Sequence, residues 1–527
     1  MSTFPVLIGG EWRPARDVRG SFHALDPASG AEIPGDYPVS GTGDVEEALG
    51  AGSAAALEMA GLPPEHAAGF LEDYARGIEN RAREIAALAN RETGLVLEPR
   101  LLSVELPRTV LQLRQAAACA RERSWCRATI DTKADIRSKL GPLGGPVAVF
   151  GPNNFPLAYN AVAGTDFAAV IAAGNPVIAK AHPLHPGTTR LLAEIGHEAL
   201  LKSRLPRSAV QLLYHLGPDD GFALVSHPLV GATSFTGSRP GGMALKSAAD
   251  KAGKPIYVET SSVNPVFLLP GALRGREQAL AAELFGSCTL GAGQFCTQPG
   301  LIVFRDDDSG RAFFDSLVSL FRASGPGQLL GKTVRDGMEA AIEAMTATGA
   351  ELAAGGHRID GPGFRFENTL LTVSGNRFLN DPEHLQQEAF GAISLCVRAD
   401  SEEQILAVAC ALEGNLAGSI YSGTDGSDDG FYARLEPILR TKVGRLLNDK
   451  VPTGVTVTPA MVHGGPYPAT GHPGFTSVGY PAAMVRFAAL HGYDRVRPER
   501  LPAELQDRNP TGSMWRMIDG EWTRRDI

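Results

Sequence analysis

The chain has 527 residues, of which 43% are hydrophobic and 20% charged, and its formal net charge is −9. This length predicts two or three domains of a soluble globular protein, and the acidic balance argues against nucleic acid or an anionic membrane as the main partner. The sequence has no signal-peptide pattern, no apolar run that could span a membrane, and no zinc-like spacing among its six cysteines. We therefore expect a cytoplasmic protein with reduced thiols and no metal site.

The first third of the chain predicts helices. Residues 44–60, 64–95 and 97–123 are rich in Ala, Leu, Glu and Arg, with apolar residues three and four positions apart. The middle third instead has short runs of Val, Ile and aromatic residues, at 147–150, 176–180, 210–214, 230–235, 255–259 and 265–269. Because helix-like segments such as 188–202 lie between these runs, we predict an α/β fold with a doubly wound parallel sheet. The alternation continues over 270–450, which indicates a second α/β domain.

A doubly wound sheet binds ligands at the carboxyl ends of its strands, so the segments that follow the strands are candidate sites. Asn154 can donate its amide hydrogens into the cleft or can simply cap a turn, and Phe155-Pro156 suits the first turn of a helix. Lys180 closes an apolar strand, where a lysine is also commonly just solvated. Gly237 and Ser238 lie in a turn before a helix, whose N–H groups can hold phosphate, although the segment is not the G-x-G-x-x-G fingerprint.

The strongest signal combines a carboxylate with a thiol. Glu259 ends a strand, and Cys296 lies in the glycine-flanked segment GAGQFCTQPG, which suits a tight loop. A thiol nucleophile needs an exposed loop with nearby hydrogen-bond donors, and a carboxylate can act as the base for water in the following step. Taken alone, a cysteine in such a chain is more often buried and inert than a nucleophile. The surrounding residues favour the nucleophile.

A series of short motifs in this chain resembles the aldehyde dehydrogenase superfamily. In chain order they are Asn-Phe-Pro, the strand-end Lys, Phe-Thr-Gly-Ser, Glu-Thr, Gly-Gln-x-Cys and the Glu-x-Phe-Gly of 388–391. The resemblance extends from about residue 6 to 490 and implies two Rossmann-like doubly wound domains with a small β oligomerisation arm. It implies a discontinuous dinucleotide-binding domain at 1–124 and 144–265, a catalytic domain at 266–460, arms at 125–143 and 480–490, and a C-terminal extension at 491–527.

The resemblance also implies NAD(P)-dependent oxidation of an aldehyde to a carboxylic acid, through a thiohemiacetal and a thioester on Cys296. Glu259 would be the general base and Asn154 an oxyanion donor beside the Cys296 backbone N–H. The implied cofactor-binding residues are Lys180, which is also counted among the catalytic residues, His182, Pro183, Gly237, Ser238, Glu388 and Phe390. The implied substrate-binding residues are Phe155, Phe295, Thr297 and His463. For His463, a purely structural loop histidine is the alternative.

Several phrases, among them KAHPLHPGT and MVHGGPYPAT, are similar to the 2-oxoglutarate semialdehyde dehydrogenase branch and to the related bacterial fatty aldehyde dehydrogenase. We therefore expect 2-oxoglutarate semialdehyde as substrate, with another semialdehyde or an aliphatic or aromatic aldehyde as the alternative. NAD-preferring relatives often have a Glu where this chain has Pro183, so we expect NADP, with NAD as the second choice. The unusual Asp449-Lys450 either favours an anionic substrate near the substrate entrance or is surface variation.

Two interpretations from other functional classes remain possible from the sequence. A catalytically silent structural member of the fold would lack some of Cys296, Glu259, Asn154 and Lys180, yet all four are present. A thiol-dependent acyl transferase or reductase without a nicotinamide cofactor would leave Lys180 and Glu388 unexplained. The resemblance further implies a homodimer or a homotetramer.

Overall fold

The computed structural model describes residues 3–527, and within its first third residues 42–122 are largely helical as predicted, whereas residues 6–40 form four strands that the sequence did not predict. The elements are the helices Thr42–Ala60, Pro64–Asn80, Ala82–Thr93 and Leu106–Glu122, with a π-helical stretch at Leu97–Glu105. The predicted segment 64–95 is divided at Arg81 and ends at Gly94, where φ is 66°. Glycine adopts this left-handed conformation without strain, which is why the helix stops there.

A seven-stranded sheet forms the centre of the first domain. In spatial order its strands are Ile256–Glu259, Ala232–Thr236, Val147–Phe150, Val177–Lys180, Val210–Leu213, Val6–Ile8 and Glu11–Arg13. The first five run parallel, and the N-terminal hairpin pairs antiparallel with Val210–Leu213. These five confirm the predicted strands to within two residues, and most of their side chains are buried, as in a sheet with helices on both faces.

The helices of this domain include one correction. They are Thr165–Ala172, Pro186–Lys202, Pro218–Ser226 and Arg239–Lys251. The helix predicted to begin at Phe155-Pro156 is not formed, and the chain runs through turns until Thr165. The reason is Asn160, whose side-chain amide donates to the carbonyl of Pro156 at 2.8 Å and so occupies the acceptor that the first helical turn would need.

A second seven-stranded sheet forms the centre of the second domain, as predicted from the continued alternation. In spatial order its strands are Glu351–Ala354, Thr369–Ser374, Ile393–Ala399, Leu301–Arg305, Val266–Leu268, Asn415–Tyr421 and Val443–Asn448. Its longer helices are Glu277–Thr289, Asp308–Ala323, Lys332–Ala347, Glu402–Ala411 and Asp429–Arg440. Only the edge strand Glu351–Ala354 pairs antiparallel.

A five-stranded sheet stands apart from the two large ones. Its strands are Ala489–Asp494, Ile136–Gly141, Thr129–Asp131, Arg516–Ile518 and Glu521–Thr523. The pairing strand therefore lies later than the arm at 480–490 that the sequence suggested, because Tyr480, Met484 and Phe487 are buried in the main core. The C-terminal extension folds back as a hairpin onto the strand at Thr129–Asp131.

A smaller three-stranded sheet combines Val18–Leu25, Glu32–Ser40 and His215–Leu216. It connects the N-terminal segment to the chain that follows the strand Val210–Leu213. Among residues 3–527, no helix is both long enough and apolar enough to cross a membrane.

Candidate active site

Cys296 lies in a tight loop, as its glycine-rich surroundings predict. Gly291, Ala292 and Gly293 have φ values of 57°, 56° and 69°, three consecutive left-handed residues before the nucleophile segment. A Cβ on Gly293 would lie 2.3 Å from the backbone nitrogen of Ala392, so only glycine fits at this position. The left-handed Ala292 stores backbone strain that the surrounding structure must hold in place.

Asn264 holds this loop from the other side, and sequence reasoning missed it. Its side-chain amide donates to the carbonyls of Cys296 at 3.0 Å and Gln298 at 2.9 Å. The backbone of Asn264 is itself fixed, because its N–H donates to the side chain of Asn415 at 3.2 Å. The Asn-Pro at 264–265 was the available signal, since it follows the Glu259 strand at the start of the next one.

Cys296, Glu259 and His463 form the centre of the site. The Cys296 Sγ lies 3.5 Å from the Nε2 of His463, and the same Nε2 lies 2.9 Å from a carboxylate oxygen of Glu259. The second carboxylate oxygen of Glu259 accepts a hydrogen bond from the Ser477 hydroxyl at 3.2 Å. The expected nucleophile and the expected base are thus joined through one imidazole nitrogen. His463, expected to contact substrate, also bridges these two residues.

The charge state of His463 follows from its partners. Burial opposes its protonation, but the carboxylate of Glu259, with contributions from Tyr159 and Cys296, more than offsets burial and raises the pKa of His463 well above its usual range. A protonated imidazole next to a thiol favours the thiolate, which is the nucleophilic form. The buried carboxylate in turn gains a charge-assisted partner, so neither charge is left uncompensated.

Asn154 and Thr297 flank the nucleophile. Asn154 is buried, and its side-chain amide donates to the carbonyl of Gln294 at 3.0 Å, two residues before Cys296. Each amide group has a second hydrogen, which leaves Asn154 able to donate to another acceptor. The Thr297 hydroxyl accepts a hydrogen bond from the Gly454 N–H at 3.3 Å. Both predicted residues therefore lie at the nucleophile loop.

A cavity of about 740 Å³ leads to Cys296. Its wall is mainly apolar and aromatic, and it includes the expected substrate residues Phe155, Phe295 and Thr297. The rings of Phe155 and Phe295 meet edge to face, with centroids 5.6 Å apart. Lys450, suspected from sequence to meet an anionic substrate, is exposed and does not line this cavity.

Two arginines in the cavity wall were missed by sequence reasoning. Arg100 is neutralised by an ion pair with the buried carboxylate of Glu105. Arg108 has no such partner: its guanidinium donates to the Tyr159 hydroxyl at 3.0 Å and to the carbonyl of Val455 at 2.8 Å, both neutral acceptors. A guanidinium has five N–H donors, so Arg108 retains free donors and a full positive charge.

At the carboxyl end of the strand Val177–Lys180, an amine and several imidazoles lie close together, and no carboxylate of residues 3–527 lies among them. Burial lowers the pKa of Lys180 to about 8 and the pKa of His215 to about 4. Burial, with the charges of His185, Lys180 and His215, lowers the pKa of His182 well below its usual range. Pro183 adds no charge. His215 was missed because it lies on a different strand, beyond the end of Val210–Leu213.

The neighbouring His182 has a defined hydrogen-bonding role. Its Nδ1 accepts the Leu184 N–H at 3.2 Å, so the ring hydrogen lies on Nε2 and is available to a ligand. His185 is stacked on it, with ring centroids 5.5 Å apart, and the Nε2 of His185 donates to the carbonyl of Pro152 at 2.9 Å. Lys180 and His182 thus present donors at the edge of the sheet where a ribose is bound in Rossmann folds.

The remaining expected cofactor residues lie in different surroundings, and only Glu388 among them lines a cavity. Gly237 and Ser238 are exposed at the N-terminus of the helix Arg239–Lys251, which suits phosphate. Glu388 lines a second cavity, of about 350 Å³, together with Arg239 and Ser261. Burial raises the pKa of Glu388 to about 8. Phe390 is half-buried against the core and does not line this cavity.

The chain belongs to the aldehyde dehydrogenase family, whose sequence profile matches residues 12–436. It is 39% identical to alpha-ketoglutaric semialdehyde dehydrogenase 2 of Azospirillum brasilense, over 98% of this chain and 99% of that protein. It is 35% identical to alpha-ketoglutaric semialdehyde dehydrogenase of Acinetobacter baylyi, over 91% and 92% of the two chains. Lactaldehyde dehydrogenase from Escherichia coli has the same fold, with a TM-score of 0.79 at 21% identity, over 93% of this chain and 99% of that one. The predicted family and fold are confirmed, and the protein oxidises aldehydes.

Proposed function

We propose that the protein oxidises a semialdehyde that carries a carboxylate, with 2-oxoglutarate semialdehyde as the first candidate, and prefers NADP to NAD. The observation that carries the substrate assignment is Arg108, an unneutralised cation in the wall of the cavity that reaches Cys296. A carboxylate at the far end of a short aldehyde would form charge-assisted hydrogen bonds with it. The names of the two relatives that are 39% and 35% identical support the same substrate class.

The proposed chemistry begins at Cys296. Its thiolate, favoured by the adjacent His463, adds to the aldehyde carbon, and the carbonyl electron pair moves onto oxygen. The Asn154 amide and the Cys296 backbone N–H stabilise this oxyanion, and loss of one such donor typically costs about 10²–10³ in rate. When bound, a nicotinamide dinucleotide would supply the hydride acceptor for this adduct, and loss of the hydride from the former aldehyde carbon would leave a thioester on Cys296.

Hydrolysis then depends on Glu259. Its carboxylate takes a proton from water while the water oxygen bonds to the thioester carbon. The carbon–sulfur bond breaks, the carboxylic acid leaves, and the Cys296 sulfur departs as a thiolate. His463 lies 3.5 Å from that sulfur and 2.9 Å from Glu259, so it stabilises the returning thiolate and can pass on the proton that Glu259 has gained.

The residues at the sheet edge fit a nicotinamide dinucleotide with a 2′-phosphate. Lys180, His182 and His215 supply one amine and two imidazoles. Burial and neighbouring cationic or imidazole groups shift their pKa values, and no carboxylate contributes to these shifts. A carboxylate in place of Pro183 would repel the phosphate, at a cost of several kcal/mol when poorly solvated. The N-terminus of the helix Arg239–Lys251 would hold the pyrophosphate, and Glu388 would hold ribose hydroxyls.

We extend the proposal to location and assembly. All six cysteines are free thiols, as expected for a reducing compartment such as the cytoplasm. The five-stranded sheet ends in the strand Ala489–Asp494, whose outer N–H and C=O groups can pair with a second copy of the chain. A homodimer or homotetramer built through this sheet follows from the proposal.

The substrate assignment is tested with Arg108→Gln. We expect kcat/KM for 2-oxoglutarate semialdehyde to fall about 10–100-fold, because a hydrogen bond to a charged group is worth about 1.5–3 kcal/mol. For pentanal, which has the same number of carbons but no charge, the loss should be clearly smaller, because it reflects only the bond by which Arg108 holds the Val455 carbonyl. Steady-state rates at 340 nm with both substrates provide the comparison.

Lys450→Gln is the matched control, because it removes an exposed cation outside the cavity. This variant should act on both substrates as the unmodified protein does. An equal loss with both aldehydes in Arg108→Gln would mean that Arg108 supports the loop rather than the substrate carboxylate, and would overturn the assignment.

A second candidate substrate class is a longer aliphatic or an aromatic aldehyde. The observation in its favour is the size of the cavity, about 740 Å³, together with an apolar lining that includes Leu95, Val104, Leu290 and Val455. A five-carbon semialdehyde fills only a small part of such a space. A higher kcat/KM for octanal or benzaldehyde than for the semialdehyde would establish this class instead.

A further inference from the structure

We propose that Arg445 is a positioning residue for the nucleophile: it fixes the loop 452–455 against Thr297 and places an unneutralised cation near Cys296. Arg445 lies on the strand Val443–Asn448 and is half-buried. It is neither a cavity-lining residue nor one of the residues expected from the sequence.

The guanidinium of Arg445 binds the loop through two backbone carbonyls. It donates to the carbonyl of Gly454 at 3.0 Å and to the carbonyl of Pro452 at 2.6 Å. Arg108 donates to the next carbonyl along, that of Val455, at 2.8 Å. Two guanidinium groups from different domains therefore hold a segment that has no helix or strand of its own.

This loop contacts the nucleophile segment directly. The Thr453 hydroxyl donates to the carbonyl of Thr297 at 3.2 Å, and the Gly454 N–H donates to the Thr297 hydroxyl at 3.3 Å. The Thr453 hydroxyl also lies 2.7 Å from that of Ser287, on the helix that precedes the Cys296 loop. A displacement of 452–455 would therefore be transmitted to the residue adjacent to Cys296.

The charge of Arg445 adds a second effect. Burial lowers the pKa of its guanidinium, and the groups that oppose this are Cys296 and Tyr159. A guanidinium remains protonated throughout the accessible pH range. The contacts place this charge near the thiol, because Arg445 binds the Gly454 carbonyl and the Gly454 N–H binds the Thr297 hydroxyl, one residue from Cys296. The charged or titratable groups around Cys296 are His463 and Glu259 beside it, and Tyr159, Arg100, Glu105 and Arg108 in the wall of the same cavity. The hydrogen bonds of the Arg445 guanidinium go to neutral acceptors, so they leave its charge unneutralised.

The test measures Cys296 without substrate or cofactor. In alkylation by iodoacetamide, the Cys296 sulfur bonds to the methylene carbon and iodide leaves, so the rate follows the thiolate fraction. Arg445→Gln should move the midpoint of the pH–rate curve upward by about one pH unit, since a nearby opposite charge lowers a pKa by about 1–3 units. It should also lower kcat/KM by about tenfold.

Two further variants separate charge from position. Arg445→Lys keeps the charge but cannot bind two carbonyls as a fork, so it should restore the alkylation midpoint while kcat stays low. Thr453→Val keeps Arg445 but removes the hydroxyl bonds to Thr297 and Ser287. It should lower kcat and leave the midpoint unchanged. Arg322→Gln is the matched control, because the exposed Arg322 also donates to a backbone carbonyl, that of Ala353, outside the site, and should change neither quantity.

An Arg445→Gln protein with unchanged alkylation midpoint and unchanged kcat/KM overturns the proposal. If that variant does not fold, Arg445→Lys and Thr453→Val decide the question, and normal kcat in both also overturns it. The inference rests on the proposed role of Cys296 as the nucleophile. Because Cys410 is an exposed thiol, alkylation is followed on the Cys296 peptide by mass spectrometry, and a Cys296 that reacts no faster than Cys410 would refute that role rather than the inference.

Discussion

At the residue scale, the single N–H on the Nε2 of His463 faces two acceptors. These are the sulfur of Cys296 and the carboxylate of Glu259. In the free protein this hydrogen stabilises the thiolate; once the sulfur becomes a neutral thioester, Glu259 is the stronger acceptor of the two. The imidazole of His463 therefore stabilises the Cys296 thiolate in the first step and donates to Glu259 in the second.

Replacement of the base separates these steps. We expect Glu259→Gln to give a burst of reduced cofactor with full amplitude but a lower rate, because His463 loses the carboxylate that keeps it protonated. Turnover after the burst should fall further, by about 10²–10⁴-fold, as general-base assistance to water is lost. Stopped-flow absorbance at 340 nm resolves both phases. His463→Gln should slow mainly the burst, and a Glu259→Gln enzyme with no burst at all would show that the carboxylate is needed for thiol attack.

Lys180 makes cofactor choice depend on pH. Because burial lowers its pKa to about 8, the amine is charged below that pH and neutral above it. The affinity for NADP should therefore fall as pH rises through about 8, by up to about tenfold per pH unit, while the affinity for NAD changes less. Between pH 6 and 7 the NADP/NAD ratio should be flat, because burial keeps His215 neutral there. Cofactor fluorescence titrations over pH 6–10 measure both constants.

Pro183→Glu is the companion variant, since it adds a carboxylate next to these groups without removing any of them. It should shift the preference towards NAD, chiefly through weaker NADP binding. A protein that strongly favours NAD at all pH values, and in which Pro183→Glu has no effect, would show that the 2′-position is recognised elsewhere.

At the element scale, the sequence predicted the strands well and the turns less well. Each of the five parallel strands of the first sheet is a short, mostly buried run that contains β-branched or aromatic residues, a local signal that a covered parallel sheet requires. The helix expected at Phe155-Pro156 failed because a side chain, Asn160, competes with the backbone for the carbonyl of Pro156. Such competition depends on rotamers that no periodicity reveals.

The residues of the candidate site also differ in whether a local sequence motif predicts them. Cys296 and Glu259 lie in local motifs, so the sequence alone located them. Arg108 and Arg445 carry no motif, and Arg108 reaches its partner Val455 across 347 residues of chain. Long-range contacts of this kind are set by packing of the domains, which is why both arginines emerged only from the structure.

The C-terminal hairpin offers a test of one element. Its strand Arg516–Ile518 covers Thr129–Asp131, and the fully buried guanidinium of Arg516 donates to the carbonyls of Gln506, Asp507 and Arg525. Deletion of residues 511–527 exposes the edge of Thr129–Asp131, so we expect larger assemblies without a fixed stoichiometry. Light scattering coupled to size exclusion measures this. Trp522→Ser, which alters an exposed side chain and keeps the strand pairing, should leave the mass unchanged, and an unchanged mass in the deletion would contradict the expectation.

At the scale of the whole molecule, the two large sheets contribute opposite ends to the site. Glu259 and Lys180 close strands of the first sheet, whereas Asn264 and Asn415 stand at the beginning of strands in the second. The expectation that chemistry follows the strands thus holds for one sheet only. The loop 452–455 is held by Arg108 from the first domain and by Arg445 from the second. Its position therefore depends on how the two domains are placed relative to each other.

The two cavities have a kinetic consequence. One is lined by Cys296 and the other by Glu388, and they share no lining residue. Hydride transfer requires the two ligands to meet at Cys296, but separate openings to solvent allow one product to leave while the other is still bound. The carboxylic acid can then depart before or after the reduced dinucleotide, and a carboxylate that mimics the product should not compete with NADP for free enzyme. Where product release limits turnover, the slower product sets the rate, and a variant that widens only one opening changes the turnover number only if that opening releases the slower product.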